Sequence, residues 1–110
     1  MTDPFSRSVL IVDDDSAFTQ GLSRELSRRG FEVRIAKDGP AAIELGLEES
    51  PEWAVVNLRM PGDWGKRVVS ELRRADPSSR VIVLTSYGHI ASALDAVKAG
   101  ACDYLQKPVT

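Results

Sequence analysis

Four strand-like segments in this chain end on polar residues, and those ends carry the side chains suited to chemistry. Val9–Val12 ends in Asp13-Asp14-Asp15, Trp53–Val56 in Asn57, Val81–Leu84 in Thr85, and Cys102–Gln106 in Lys107. If the runs are neighbouring parallel strands, the four ends converge and Asn57 sits in their middle. Paired aspartates beside a hydroxyl and an ammonium are groups that a small phosphotransferase or phosphatase would use. The surroundings look built for a central carboxylate, yet residue 57 is a carboxamide.

The elements that must position these groups read as βαβαβαβαβ. Val9–Val12 is apolar at every residue, the mark of a strand covered on both faces. Phe18, Leu22 and Leu26 form one stripe of a helix over Ser16–Arg29, capped by Asp15 or Ser16 and ended by Gly30. Phe31–Ala36 alternates, as a half-exposed edge strand does. Pro40 opens a helix to about Glu49, weakened by Gly46, and Pro51 ends it before the third strand. Val68, Val69 and Leu72 give the apolar side of a third helix closed by Asp76-Pro77. Ile90, Ala93, Leu94 and Val97 mark a fourth, stopped by Gly100.

Strands alternating with helices predict a doubly wound five-stranded parallel sheet of flavodoxin-like order 2-1-3-4-5. Sites in such sheets lie outside the carboxyl ends of the strands, where the strand order reverses. That point falls between the first and third strands and brings the aspartates beside Asn57. Residues 1–110 read as a single domain that stops before a fifth helix. One sheet face is then expected to be left partly bare; either the sequence was cut from a longer protein, or a partner covers that face.

Fourteen basic against sixteen acidic residues give a net charge of −2, which leaves no electrostatic footprint for direct nucleic-acid binding. Cys102 is the single cysteine, so an intrachain disulfide is excluded and a reducing cytoplasm is expected. Its ordinary reading is a small buried hydrophobe. No apolar run approaches the ~20 residues of a membrane span, and Met1–Arg7 lacks the apolar core of a signal peptide.

Val9-Leu10-Ile11-Val12-Asp13-Asp14-Asp15, Leu58-Arg59-Met60-Pro61-Gly62 with Gly65, Val83-Leu84-Thr85 and Tyr104-Leu105-Gln106-Lys107-Pro108 together resemble response-regulator receiver domains. The resemblance runs from about Ser8 to Val109. More narrowly, Phe18, residues 28–32 and residues 84–88 look like the proteobacterial redox-responsive global regulators. In that family an aspartate ending the third strand takes a phosphoryl group from a histidine kinase. The resemblance implies Mg2+ bound directly by Asp14, mostly through water by Asp13, and by the backbone carbonyl of Arg59. Lys107 would pair with the acceptor or a phosphate oxygen. Thr85 would donate its hydroxyl to the phosphate and move inward, letting Tyr104 turn toward the core.

Asn57 occupies the acceptor position. A carboxamide oxygen carries no full charge and is a poor nucleophile, and the metal loses an anionic ligand. The expectation is a chain that is not phosphorylated at residue 57 and binds Mg2+ weakly. An Asp→Asn change made in an ordinary receiver and a natural receiver that works without phosphate both fit this reading. The resemblance further implies a histidine kinase docking on the first helix near Ser16–Gln20 and the loop at Pro108. It also implies a receiver–receiver homodimer through the fourth helix and fifth strand, and transcriptional output through an attached DNA-binding domain.

Each residue alone has an ordinary explanation. Asp15 is best read as a helix cap, Thr85 as a strand end, Lys107 as a solvated charge and Tyr104 as a half-buried strand aromatic. Their joint placement at four strand ends is what structural needs do not predict. His89, the single histidine, reads as a helix-start surface residue. Gly62-Asp63-Trp64-Gly65-Lys66 fails the spacing of a phosphate loop, and Trp64 is either a partner contact or a loop anchor. Two other functions compete. A small aspartate-based phosphotransferase or phosphatase lacks a nucleophile beside a base. A flavodoxin-like cofactor binder would need an anion-cradling loop where three aspartates stand. The chain is therefore read as a signalling module and not an enzyme.

Overall fold

The computed structural model describes residues 7–62, 64–85 and 90–106, with the side chains of residues 90–93 set aside. The elements run β1 (Ser8–Val12), α1 (Ser16–Arg28), β2 (Glu32–Ala36), α2 (Gly39–Glu48), β3 (Trp53–Asn57), α3 (Trp64–Ala75), β4 (Arg80–Thr85), α4 (Ile90–Ala99) and β5 (Asp103–Gln106). All four strand pairings are parallel and the sheet order is β2-β1-β3-β4-β5. The chain is thus a flavodoxin-like, doubly wound sheet in the expected 2-1-3-4-5 order.

β1 lies between β2 and β3, and its Val9, Leu10, Ile11 and Val12 are at most 3% exposed. Strand registers divide the apolar side chains into two faces. Leu10, Ala54 and Val81 form one cross-strand row, and Val12, Val56 and Val83 the next. These rows meet Ala42 of α2, Val68, Val69 and Leu72 of α3 and Ala96 of α4 in one buried cluster. Burying each such branched side chain contributes about 1.5–3 kcal/mol.

The opposite face carries Val55 and Ile82, both half-buried. Val9, Leu26, Phe31, Trp53, Val55 and Ile82 line a groove of about 460 Å³ there. Among the described residues α1 is the helix on this side. Its stripe of Phe18, Leu22 and Leu26 is accordingly half-buried.

Local sequence explains where elements stop. The Asp15 carboxylate caps α1 by accepting from the Phe18 N–H at 3.1 Å. At its other end Gly30 takes φ +90°, its N–H donates to the Ser27 carbonyl, and the Phe31 N–H donates to the Leu26 carbonyl. This Schellman closure spends Phe31 on the helix end, so β2 begins one residue later than the alternation predicts. Gly46 does not break α2. A Cβ there would stand 2.3 Å from Leu72 Cδ2, so the glycine admits α3 at close range. Arg34 of the edge strand β2 ties α2 down by donating to the Leu45 and Glu49 carbonyls at 2.9 and 2.6 Å.

Two residues of the apolar stripe read on α4, Leu94 and Val97, are not buried. Leu94 is 49% and Val97 36% exposed, while Ala96 is fully buried. Cys102 is likewise exposed and not the buried hydrophobe expected from its residue type. Its backbone N–H donates to the Val81 carbonyl at 2.8 Å and so starts the β4–β5 pairing.

Candidate functional site

The carboxyl ends of β1, β3 and β4 meet at the site. The β1–β3 register pairs Val12 with Val56, which sets Asp13 level with Asn57 although 44 residues separate them. The β3–β4 register pairs Asn57 with Leu84, and the Leu58 N–H donates to the Leu84 carbonyl at 3.0 Å. Thr85 follows directly and is fully buried.

Asp13 is 1% and Asn57 7% exposed. Asn57 Nδ2 donates to Asp13 Oδ1 at 3.0 Å and lies 3.4 Å from the Arg59 carbonyl oxygen. The Arg59 N–H donates back to Asn57 Oδ1 at 3.2 Å. This last bond fixes the amide orientation, since an N–H must face the oxygen end. Asp13 Oδ1 also accepts the Asp15 N–H at 3.1 Å, so one buried carboxylate oxygen is held from two sides. Hydrogen bonds to an ionised carboxylate are the strong ones, and they offset the cost of burying it.

Asp14 differs from its neighbour, being exposed at the rim. The structure therefore brings Asp13, Asn57, the Arg59 backbone and Thr85 to one end of the sheet, with Asp14 on the solvent side. Tyr104 pairs with Val83 in register and packs half-buried against the core cluster. Lys107 lies outside the described residues, as do His89, Asp63 and the loop at Pro108. Among the described residues, no three His, Cys, Asp or Glu side chains are grouped so that they could hold a metal ion.

The β3–α3 loop is held by features that composition does not reveal. Trp64 packs against Gly39 at the start of α2 and against Gly62, and the Arg67 guanidinium lies 4.7 Å from its ring centre. Of the two readings of Trp64, the loop anchor matches this packing. At Gly65 a Cβ would stand 2.6 Å from Leu58 Cα and 2.7 Å from the Leu58 carbonyl oxygen. Backbone cannot yield as a side chain tip can. Gly65→Ala should therefore cost about 1–3 kcal/mol and displace the Arg59 N–H from Asn57, read as a lowered urea midpoint.

The family model described as response regulator receiver domain matches residues 9–110. The chain is 46% identical over 102 residues to the photosynthetic apparatus regulatory protein RegA of Rhodobacter capsulatus, covering 93% of this chain and 55% of that protein. It is 45% identical over 102 residues to the acid tolerance regulatory protein ActR of Rhizobium meliloti, covering 93% and 53%. The chain thus spans about half the length of these curated relatives. Among solved structures, a response regulator from Burkholderia pseudomallei with a phosphorylated aspartic acid, calcium ion and citrate superposes with TM-score 0.88 at 38% identity, covering 96% of this chain and 62% of that one. A receiver domain protein from Clostridium thermocellum superposes with TM-score 0.86 at 31% identity, covering 94% and 84%.

Proposed function

The chain belongs to the response regulator receiver domain family, and from that premise we propose that it is a receiver whose acceptor position declines the phosphoryl group. Receiver domains of two-component regulators take their signal from histidine kinases and bind Mg2+ at an acidic pocket. The reading here is that Asn57 separates this chain from that chemistry while the fold around it is kept.

The observation that carries the proposal is the Asn57 side chain itself, buried at the acceptor position and hydrogen-bonded at both ends. In the family's chemistry the attacking group at this position is an anionic carboxylate oxygen with an available electron pair. The amide oxygen is neutral and already accepts the Arg59 N–H. In this reading Thr85 and Lys107 are the groups toward a phosphoryl oxygen, and Tyr104 is the aromatic that follows Thr85. Asp13, Asp14 and the Arg59 carbonyl are the groups that would hold Mg2+, weakly for want of a carboxylate at residue 57.

The partners follow from the same reading. A cytoplasmic histidine kinase would dock on the start of α1 near Ser16–Gln20, beside the aspartates. A second copy would pair through α4 and β5, where Leu94, Val97 and Leu105 are exposed. The response would pass to a DNA-binding segment outside these residues that controls transcription. That the chain spans about half of its curated relatives supports such a segment. No helix among the described residues is long and apolar enough to cross a membrane.

Intact-protein mass spectrometry after incubation with acetyl phosphate and Mg2+ tests the central point. The expected spectrum shows unmodified chain alone; a stable phosphoryl adduct mapped to Asn57 overturns the proposal.

A further inference from the structure

We propose that the Asn57 carboxamide takes the place of the divalent cation in the acid pocket, so that this receiver is balanced without metal. The inference rests on the receiver reading above and concerns what holds the pocket together when no phosphoryl group arrives.

The amide end of Asn57 carries two hydrogens. The structure directs them at two oxygens, Asp13 Oδ1 at 3.0 Å and the Arg59 carbonyl at 3.4 Å. Of these, the receiver reading assigns the Arg59 carbonyl to Mg2+ directly and the Asp13 carboxylate mostly through water. The donor set therefore does not fit a metal as it stands. A hard cation needs oxygens turned inward, and here an NH2 group sits among them with its own positive edge toward the carboxylate.

Electrostatics gives the reason for the exchange. An aspartate at position 57 would place a second carboxylate level with Asp13, which is 1% exposed. Two buried like charges at hydrogen-bond range raise each other's pKa or demand a cation between them. The carboxamide removes one charge and supplies the donor in a single side chain. Asp13 then keeps two hydrogen bonds on one oxygen, from Asn57 Nδ2 and the Asp15 N–H, with no metal between the two side chains.

The test compares thermal unfolding midpoints of the chain, Asn57→Ala and Asn57→Asp, each in EDTA and in millimolar Mg2+. The unmodified chain should melt at the same temperature in both. Asn57→Asp should melt lower in EDTA and recover by several degrees with Mg2+, binding it about 10–100-fold more tightly than the unmodified chain. Asn57→Ala is the decisive variant. It provides no ligand oxygen at residue 57, yet it vacates the amide's position, so it should gain a Mg2+-dependent rise that the unmodified chain lacks.

If loss of an anionic ligand were the whole story, Asn57→Ala would be as indifferent to Mg2+ as the unmodified chain, and the inference would be overturned. A second reading needs no variant. In a 15N-labelled sample the Asn57 Nδ2 proton pair should exchange slowly and stay unmoved on adding Mg2+; a shift of that pair overturns the inference as well. The two proposals fail separately. A phosphoryl adduct on Asn57 would remove the functional reading and leave the amide's role intact, whereas a Mg2+-raised midpoint of the unmodified chain would do the reverse.

Discussion

Asn57→Asp will convert a chain that gains no phosphoryl group into one that takes close to one per molecule from acetyl phosphate in the presence of Mg2+. The restored carboxylate oxygen attacks phosphorus, an O–P bond forms, and the bond from phosphorus to the acetate oxygen breaks, with acetate leaving with the electron pair. Among the described residues the other groups of the pocket are already in place. Asp13 is already buried beside residue 57, Thr85 is buried one position beyond the strand partner of Asn57, and Asp14 stands at the rim. The attack geometry is set by the sheet register, which a change of one atom type in one side chain leaves alone. Intact mass and backbone amide spectra check the result together. With a beryllofluoride mimic and Mg2+, resonances of Thr85 and Tyr104 should move in Asn57→Asp and stay in place in the unmodified chain. A restored protein with neither an adduct nor shifts would show that the site has been misassigned.

The second large effect belongs to the core. Leu10→Ala should lower stability by about 3–4 kcal/mol, in the range found when a fully buried leucine is truncated. Leu10 is 0% exposed at the middle of β1, with Arg34 and Ala54 as its strand partners, and it belongs to the main buried cluster. Its surroundings collapse poorly, because the sheet on either side is fixed by parallel pairing. Measured against the ~5–15 kcal/mol of a typical domain, the loss would drop the urea midpoint sharply. The m-value should hold if the unfolded state is unchanged. A loss under ~1 kcal/mol would mean that the face can repack around the missing atoms.

Much of this was legible in the chain before any coordinates. The apolar run at β1, the run at β4 and their abrupt polar ends placed the site, because a strand covered on both faces has no room for alternation. Asp15 as the cap of α1 and Gly30 as its end followed from residue chemistry alone. Other features were hidden because they depend on distant backbone. Phe31 looks like strand by alternation, yet the closing turn of α1 claims its N–H. Gly46 looks like a weak point and is a contact with Leu72. On α4 the larger residues Leu94 and Val97 face outward while Ala96 is buried, which inverts the size order that hydrophobic patterning relies on.

At the site, the sequence identified the misfit of Asn57 but not what the misfit accomplishes. Residue types showed a missing charge. The two donor hydrogens and the return bond from Arg59 became visible only when the 44-residue separation from Asp13 was closed. Asp13 and Asp14, adjacent and chemically alike, could not be told apart by type. The end of β1 buries the first and exposes the second.

The wholly parallel sheet has a consequence for how the molecule comes into being. A ribosome releases Asp13 early, but its amide partner is synthesised 44 residues later, and β4 with Thr85 later still. Until β3 arrives, β1 has one open edge and its apolar rows lie uncovered, a sticky interval of the kind that chaperones guard. Loop-closure entropy must be met before any of these non-local pairings rewards it. The signalling pocket is thus complete only after β4 has paired with β3, and a chain that carries it intact has already built the centre of its sheet.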